Sequence, residues 1–253
     1  MKKFLPGAVA LIVTSMAIPA MAADLPARSY SKAPVMVATI YDWGGFYIGV
    51  DGGGGWSRKC WDVTSAIGIP IVPSVSEGCH NATGAVAGGQ VGYRWLSGPV
   101  VFGLEAQGDW ANLRGSNVSQ TFAPNANRST VNAIGLFTGQ VGYAWNNVLW
   151  YVKGGGALTN DKFEGLFAGA VFDRATETRF GGTVGTGVEF GFASNWSAGV
   201  EYNHLFMGNR SLNFTSVIPP VGIVSRNDSI RQDADLVTAR INYRWGGPIV
   251  AKY

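Results

Sequence analysis

The residues that could carry chemistry in this sequence are few, and most lie in one segment. The chain has two cysteines, Cys60 and Cys79, and His80 follows the second directly. A zinc site needs more ligands than these three and a spacing that they do not have, so we predict no metal site. An even cysteine count in an exported chain favours a Cys60–Cys79 disulfide, and two free thiols are the alternative.

Catalytic groups are equally scarce. His80 has Glu77 nearby, as a hydrolase would require, but a lone histidine in a loop is more often only solvated, and His204 belongs to an apolar pattern. Asp51 opens a run of glycines that lacks the Lys-Ser/Thr ending of a phosphate-binding loop. We therefore predict no catalytic residue, no cofactor and no enzyme.

Composition narrows the class of protein. Hydrophobic residues make up 47% of the chain and charged residues 14%, with 36 glycines and 9 tryptophans. Such a composition is typical of an all-β protein rich in turns. Without Lys2 and Lys3 the chain has 17 basic and 16 acidic residues and no basic tract, so we predict no nucleic-acid partner.

The N-terminus has the pattern of a secretory signal. Lys2 and Lys3 precede a short apolar run, and Ala20-Met21-Ala22 forms a cleavage site. We predict a signal peptide at 1–22, a periplasmic lead-in at 23–42, a barrel at 43–245 and a short periplasmic tail at 246–253. No later segment has the roughly 18 apolar residues of a spanning helix, so the mature chain must cross a membrane as a closed barrel.

The elements that must position these residues are strands. The motif GQVGYRW at 89–95 returns as GQVGYAW at 139–145, with an apolar or small residue at every second position. Eight candidate strands share this period of two: 43–57, 84–96, 100–111, 131–145, 148–160, 178–192, 196–208 and 233–245. Long segments (58–83, 112–130, 161–177 and 209–232) alternate with tight turns. We predict an all-β fold, an eight-stranded antiparallel transmembrane β-barrel with long outer loops and short periplasmic turns.

Alternation gives each strand one apolar and one charged face. In a soluble barrel the apolar face would fill the core, whereas in a membrane it would face lipid and the charges would line the lumen. The aromatic residues favour the membrane, because they collect at the strand ends beside the short turns, where headgroups would lie. This predicted periplasmic aromatic girdle comprises Trp43, Phe46, Tyr93, Trp95, Tyr143, Trp145, Trp150, Phe190, Phe192, Trp196, Tyr243 and Trp245.

The predicted lumen carries equal numbers of acids and bases. An eight-stranded barrel is just wide enough for its own side chains to fill. Unpaired buried charges are costly, so we predict that the two sets pair with each other and form a salt-bridged plug. The predicted lumen charge network comprises Asp51, Arg94, Glu105, Asp109, Lys153, Arg179, Glu189, Glu201, Arg240 and Arg244.

Several motifs, taken together, resemble one family. They are ADLP at 23–26, WGGFYIG at 43–49, LWYVKGG at 149–155, GTGVE at 185–189, WSAGVEY at 196–202 and ARINYR at 239–244. The sequence resembles the outer membrane immunogenic proteins, small porin-like barrels of rhizobia and related bacteria. The resemblance implies an eight-stranded barrel abundant at the cell surface and no catalytic residue. The chain departs from the pattern by continuing through 246–253 after Trp245, where such barrels usually end.

These observations predict a bacterial outer-membrane protein with a structural, envelope-integrity and surface-display role. A narrow passive channel is the first alternative, and a receptor or adhesin for hemin or for a host or plant partner is the second. We expect contacts with outer-membrane lipid, with the barrel-assembly machinery, and with an extracellular partner through loops 58–83, 161–177 and 209–232. Basic residues near the loops are candidates for pairing with lipopolysaccharide phosphates: Arg58, Lys59, Arg114, Arg128, Lys162, Arg174, Arg210 and Arg226.

Overall fold

The chain folds into a closed barrel. The structure, a computed structural model, describes residues 41–245, which form eight antiparallel strands joined in a ring. In chain order the strands are β1 (Gly45–Ala66), β2 (Ile69–Ser97), β3 (Val100–Val118), β4 (Ala126–Trp145), β5 (Val148–Phe167), β6 (Ala170–Ala193), β7 (Trp196–Ser216) and β8 (Val224–Arg244). Each strand pairs with its neighbours in sequence, and β8 closes the ring against β1. The predicted fold class is confirmed.

Some predicted segments fall outside the described residues. The predicted signal peptide at 1–22 and tail at 246–253 do so entirely, and the predicted lead-in at 23–42 does so except for Tyr41 and Asp42. Within residues 41–245, no helix is long and apolar enough to cross a membrane.

The strands extend much further than the sequence pattern suggested. The segments predicted as long outer loops are mostly strand, and the outer connections shrink to 67–68, 119–125, 168–169 and 217–223. The reason is visible on β1, where Ile48 and Val50 face outward but Trp61 and Val63 are buried inside. The period of two continues, but the apolar residues change sides. A search for apolar outward residues therefore ends the strands too early.

Two-residue turns join the strands at one end of the barrel and at two of the four connections of the other end. We call the end that carries turns 98–99, 146–147 and 194–195 the lower end, and the opposite end the upper end. At two of the upper turns both central residues have positive φ: Ile67 (48°) with Gly68 (75°), and Ala168 (47°) with Gly169 (86°). Such pairs form the two-residue turns whose twist matches that of an antiparallel hairpin.

The stagger of the barrel follows from its strand register. One circuit that begins at Trp56 on β1 passes through partners Asp235, His204, Val184, Gly154, Gly139, Leu104 and Tyr93 and returns to β1 at Phe46. The return point lies ten residues below the start. A shift of this size over eight strands corresponds to strands tilted by roughly 40°.

The outer surface of the barrel carries an apolar band on the part next to the lower end, which we call the lower half. On β1 this band runs from Phe46 to Trp56, a distance of ten residues. At about 3.3 Å per residue and a tilt of roughly 40°, the band is about 25 Å tall, the height expected for an outer-membrane barrel. Exposed side chains at its upper edge, here called the upper aromatic ring, are Trp56, Trp110, Phe180 and Phe206. Above this ring the strands continue as an upper half with a polar outer surface.

Candidate functional site in the barrel interior

The lower half of the barrel encloses a network of buried ion pairs. Its members are three bases and three acids: Arg94, Lys153, Arg240, Glu105, Glu189 and Glu201. Arg94 donates two hydrogen bonds to Glu189, at 3.0 and 2.6 Å. Lys153 and Arg240 each contact both Glu105 and Glu201, at 2.5 to 2.9 Å. All six side chains are at most 4% exposed, so their charges can be balanced only by one another.

Two tyrosines that the sequence analysis did not include complete this network. The Tyr47 hydroxyl donates to Glu105 at 2.6 Å, and the Tyr151 hydroxyl donates to Glu201 at 2.5 Å. Both side chains pack against glycines: a Cβ on Gly92 would lie 2.5 Å from the Tyr47 side chain, and a Cβ on Gly187 would lie 2.5 Å from the Tyr151 side chain. The glycines of the GQVGY and GTGVE motifs therefore make room for tyrosines. Their inward parity, shared with Asp51 and Lys153, is the signal that could have found them.

Four predicted members of the network do not join it. Asp51 and Asp109 face the lumen on either side of Gly88, and among residues 41–245 neither forms an ion pair with a base. Arg179 lies higher, where it pairs with Glu177 at 3.2 Å. Arg244 lies at the lower mouth and pairs with Asp42 at 3.1 Å. The prediction of complete mutual pairing is therefore wrong, because residues on one face of a strand are separated by height as well as by parity.

An apolar layer fills the barrel above this network, and the sequence analysis missed it. Its buried members are Ala82, Val86, Leu113, Val131, Ile134, Leu136, Ala157, Leu205, Met207, Ala234 and Leu236. Leu113, Leu136 and Leu205 have no exposed surface. The layer lies level with the upper part of the outer apolar band, so the barrel wall is apolar on both faces there. The side chains of this layer are apolar, so they offer no polar group to an ion or to water.

Polar and apolar layers alternate again in the upper half. Lys59, which we expected near the outer loops, has no exposed surface and pairs with Asp161 inside the barrel at 2.5 Å. A second apolar layer lies above this pair and consists of Trp61, Phe163, Ala175, Leu212, Phe214 and Ile230. The Trp61 ring lies 5.6 Å from Phe163 and 5.4 Å from Phe214 between ring centroids. Aromatic side chains thus fill the interior at this level, as leucines do in the first apolar layer.

The uppermost interior layer holds one base among three acids. Arg226, also expected outside, is buried and contacts Glu77 at 2.7 Å and Asp173 at 3.0 Å. It lies 3.2 Å from Asp228, but neither carboxylate oxygen of Asp228 has a hydrogen-bond partner among residues 41–245. Burial raises the pKa of Asp228 to about 7, with Arg226 opposing this and Glu77 and Asp173 adding to it. This layer, unlike the lower network, has more acid than it can pair.

The disulfide and His80 lie in the same upper half. Cys60 and Cys79 are directly paired residues of β1 and β2 and form a disulfide with an S–S distance of 2.03 Å, which confirms the predicted bond. His80 contacts Asn117 at 2.7 Å and Ser129 at 3.0 Å, not Glu77. Burial lowers the pKa of His80. Within residues 41–245 no group of His, Cys, Asp and Glu is arranged to hold a metal ion.

The predicted aromatic girdle surrounds the lower end, with one exception. Ten members have between 39% and 55% of their surface exposed: Phe46, Tyr93, Trp95, Tyr143, Trp145, Trp150, Phe190, Phe192, Trp196 and Trp245. Tyr243 is half-buried between Trp196 and Trp245. Trp43 is only 2% exposed; its ring packs on Tyr41 at 4.5 Å and it donates to the Asn146 carbonyl at 3.2 Å. The placement of Trp43 in the girdle is wrong, because it precedes β1 and turns into the lower mouth.

Comparison with known proteins agrees with this architecture. The family model described as an outer membrane protein beta-barrel domain matches residues 8–219. The chain belongs to this outer-membrane β-barrel family. It is 29% identical over 219 residues to the 31 kDa outer-membrane immunogenic protein of Brucella melitensis, covering 81% of this chain and 88% of the relative. It is 30% identical over 184 residues to the 25 kDa outer-membrane immunogenic protein of Brucella abortus, covering 71% and 72%. The resemblance drawn from the motifs is confirmed.

Solved structures show the same fold at much lower identity. The outer membrane protein OprG of Pseudomonas aeruginosa matches with a TM-score of 0.52 and 7% identity, over 80% of this chain and 98% of OprG. The outer membrane protease OmpT of Escherichia coli matches with a TM-score of 0.53 and 9% identity, over 79% and 96%. As a member of an outer-membrane barrel family, this chain has its apolar band in the bilayer and its strands tilted across it.

Proposed function

We propose that this outer-membrane barrel is a closed, non-enzymatic protein that strengthens the envelope and presents its upper end at the cell surface. The observation that carries the proposal is the filled interior. Two buried polar layers and two apolar layers succeed one another between the lower mouth and the acidic layer around Arg226. An eight-stranded barrel has little room beyond its own side chains, and here those side chains contact one another across the lumen.

The interior opposes a conducting pore in two ways. A hydrated ion would have to separate pairs such as Lys153 and Glu105, whose side chains have no exposed surface. It would then have to enter layers lined by Leu113, Leu136 and Phe163, which offer no hydrogen bond to replace lost water. The porin-like channel considered from the sequence requires a continuous polar path, and these layers interrupt one.

Neither an enzyme nor a hemin receptor is favoured by the side chains. Both histidines are engaged: His80 with Asn117 and Ser129, and His204 with Asp235 at 2.7 Å. OmpT is named a protease, but a likeness at 9% identity carries only the fold to this chain. We therefore assign no catalytic residue.

Display at the cell surface is supported by exposed apolar residues at the upper end of the barrel. Ile67, Val72 and Val221 have 78%, 90% and 68% of their surface exposed. Apolar side chains that protrude in this way are typical of surfaces that meet another molecule. They lie in two of the segments, 58–83 and 209–232, for which we predicted an extracellular partner.

Export and assembly are part of the same proposal. We infer that the chain leaves the cytoplasm through a cleaved signal peptide at 1–22 and is folded into the membrane by the barrel-assembly machinery. N-terminal sequencing of the protein from purified outer membranes should then begin at Ala23. A start at Met1 would contradict cleavage.

A deletion strain distinguishes envelope strengthening from transport, because the two roles predict opposite signs. For a closed structural barrel, deletion should increase sensitivity to detergent and uptake of a fluorescent small solute, and the plasmid-borne gene should reverse both. For a channel, deletion should decrease uptake and overexpression should increase it. Uptake that rises with expression at normal detergent resistance would overturn the proposed function.

A further inference from the structure

One patch on the outer surface of the upper half has an excess of positive charge. Arg114 on β3, Arg128 on β4 and Lys162 on β5 line a groove of about 490 Å³, together with Thr130, Asn132 and Ser116. Register places Arg114 and Lys162 on either side of Thr130, and Glu164 beside Arg128. The three basic side chains thus lie on neighbouring strands at nearly one level and point outward.

Glu164 is the one acid lining this groove, and it does not balance the charge. Its carboxylate is contacted by Lys162 at 2.7 Å, Arg174 at 3.0 Å and Arg128 at 3.7 Å. Arg114 forms no ion pair with any residue in 41–245. Arg128 and Lys162 keep 45% and 33% of their side-chain surface exposed. Glu164 therefore holds the cations close together while leaving donors free for an anion from outside.

The height of the groove places it among lipid headgroups. Arg114 lies four residues beyond Trp110 of the upper aromatic ring, and Lys162 lies four residues beyond Leu158. With about 3.3 Å per residue on strands tilted by roughly 40°, both cations lie about 10 Å above the top of the apolar band. With the upper end at the cell surface, as in the proposed function, that is where the headgroups of the outer leaflet begin.

Directly below the groove, the lipid-facing surface of the same strands is indented. Gly108 and Gly156 have open space where a side chain would be, and Gly139 and Gly154 line a second groove with Val141 and Val152. An apolar, glycine-lined surface accommodates an acyl chain lying along the barrel wall. The basic groove and the indented surface beneath it therefore match the two parts of one amphipathic molecule.

We propose that the outward face of β3–β5 is a binding site for a phosphorylated glycolipid of the outer leaflet. Arg114, Arg128 and Lys162 hold its phosphate, and its acyl chains lie along Gly108 and Gly156. The inference does not depend on whether the lumen is closed. The opposite side of the barrel, on β7, β8 and β1, carries exposed or half-buried charges of both signs, level with and above the upper aromatic ring: Arg58, Asp62, Arg210, Arg231, Asp233 and Asp235. Acids balance bases there, so we expect no such site on that face.

The test uses the refolded full-length mature barrel in detergent, with lipid A as the probe and native mass spectrometry to count bound molecules. The variant Arg114→Gln, Arg128→Gln, Lys162→Gln should weaken binding at least tenfold. Dephosphorylated lipid A should bind the wild type at least tenfold more weakly than lipid A. The matched control Arg58→Gln, Arg210→Gln, Arg231→Gln removes the same charge from the opposite face and should stay within threefold of wild type.

Three results would overturn the proposal. The first is wild-type affinity in the groove variant. The second is an equal loss in the control variant, since binding would then follow net charge alone. The third is inorganic phosphate displacing lipid A at equal concentration, since the groove would then be a plain phosphate site. All substituted side chains are exposed or half-buried, and folding can be checked for each variant by its far-ultraviolet circular dichroism.

Discussion

The two halves of the barrel are built from the same eight strands, but the outer surface is apolar in the lower half and polar in the upper half. In the lower half the outward residues are apolar, and the interior holds a balanced network of three bases and three acids beside Asp51 and Asp109, which form no ion pair within residues 41–245. In the upper half the outward residues are polar, and the interior is built around Trp61, Phe163 and Phe214 beneath an acid-rich layer. The difference teaches that lipid or water outside determines the outer face, whereas both interiors are filled with packed side chains.

The largest expected effect comes from breaking the lower network. Arg240→Ala leaves Glu105 and Glu201 buried with only Lys153 between them. We expect the free energy of unfolding to fall by about 5 kcal/mol, because an uncompensated buried charge is much worse than no charge. Urea unfolding in lipid vesicles, followed by tryptophan fluorescence, measures this. Arg210→Ala, at an exposed position of β7, is the matched control and should change stability by less than about 0.5 kcal/mol. Equal stabilities would refute the network's role.

The second effect should be confined to the upper half. Trp61 has no exposed surface, whereas Trp56 on the same strand is 43% exposed at the upper aromatic ring. Trp61→Ala should reduce local stability by about 4 kcal/mol through the cavity it leaves. Hydrogen exchange should then accelerate around Phe163 and Phe214 and stay unchanged in the lower half. Trp56→Ala should have a smaller effect on those amides. Faster exchange throughout the barrel would show that the halves are not separate units.

The smallest effect is a pH dependence of the upper half. Because the folded pKa of Asp228 is about 7, above its ordinary value, the folded state keeps a proton that the unfolded state loses. Upper-half stability should therefore fall as pH rises from about 4 to 7 and level off above that. Asp228→Asn should remove this fall and raise stability at pH 8 by about 1–2 kcal/mol. Hydrogen exchange across this pH range measures it, with Asp233→Asn as the control that keeps the fall. If the Asp228→Asn variant kept the wild-type pH profile, the fall in stability would have to come from another titrating group.

The same contrast explains how much could be predicted from sequence. In the lower half a strict alternation with apolar residues outward revealed the strands, the fold, and the lumen-facing positions of Arg94, Glu189 and Glu201. In the upper half the apolar residues change to the inner face, so Trp61 and Lys59 looked like loop residues. Parity gives the side of the wall but not the height, which depends on the ten-residue stagger of the closed ring.

Other parts of the site had no local signal. Pairing between Arg94 and Glu189 joins β2 to β6 across the lumen, and the partner could not be chosen before the stagger was known. The positions of Asp51 and Asp109 beside Gly88, without a base, depend on the same geometry. Trp43 turns inward because it packs on Tyr41 and donates a hydrogen bond to Asn146 at the lower mouth. Asn146 lies about a hundred residues further along the chain, so this contact leaves no local signal.

The central claim is that the side chains close the lumen, and single-channel recording tests it most directly. Purified, refolded barrel is inserted into a planar bilayer bathed in concentrated potassium chloride, with insertion verified by protease protection of the membrane half. The packed layers around Arg240, Leu113 and Trp61 predict a flat baseline, with no resolved conductance steps. Reproducible, ion-selective steps from the wild-type barrel would contradict the account and would mean that the layers separate to form a pore.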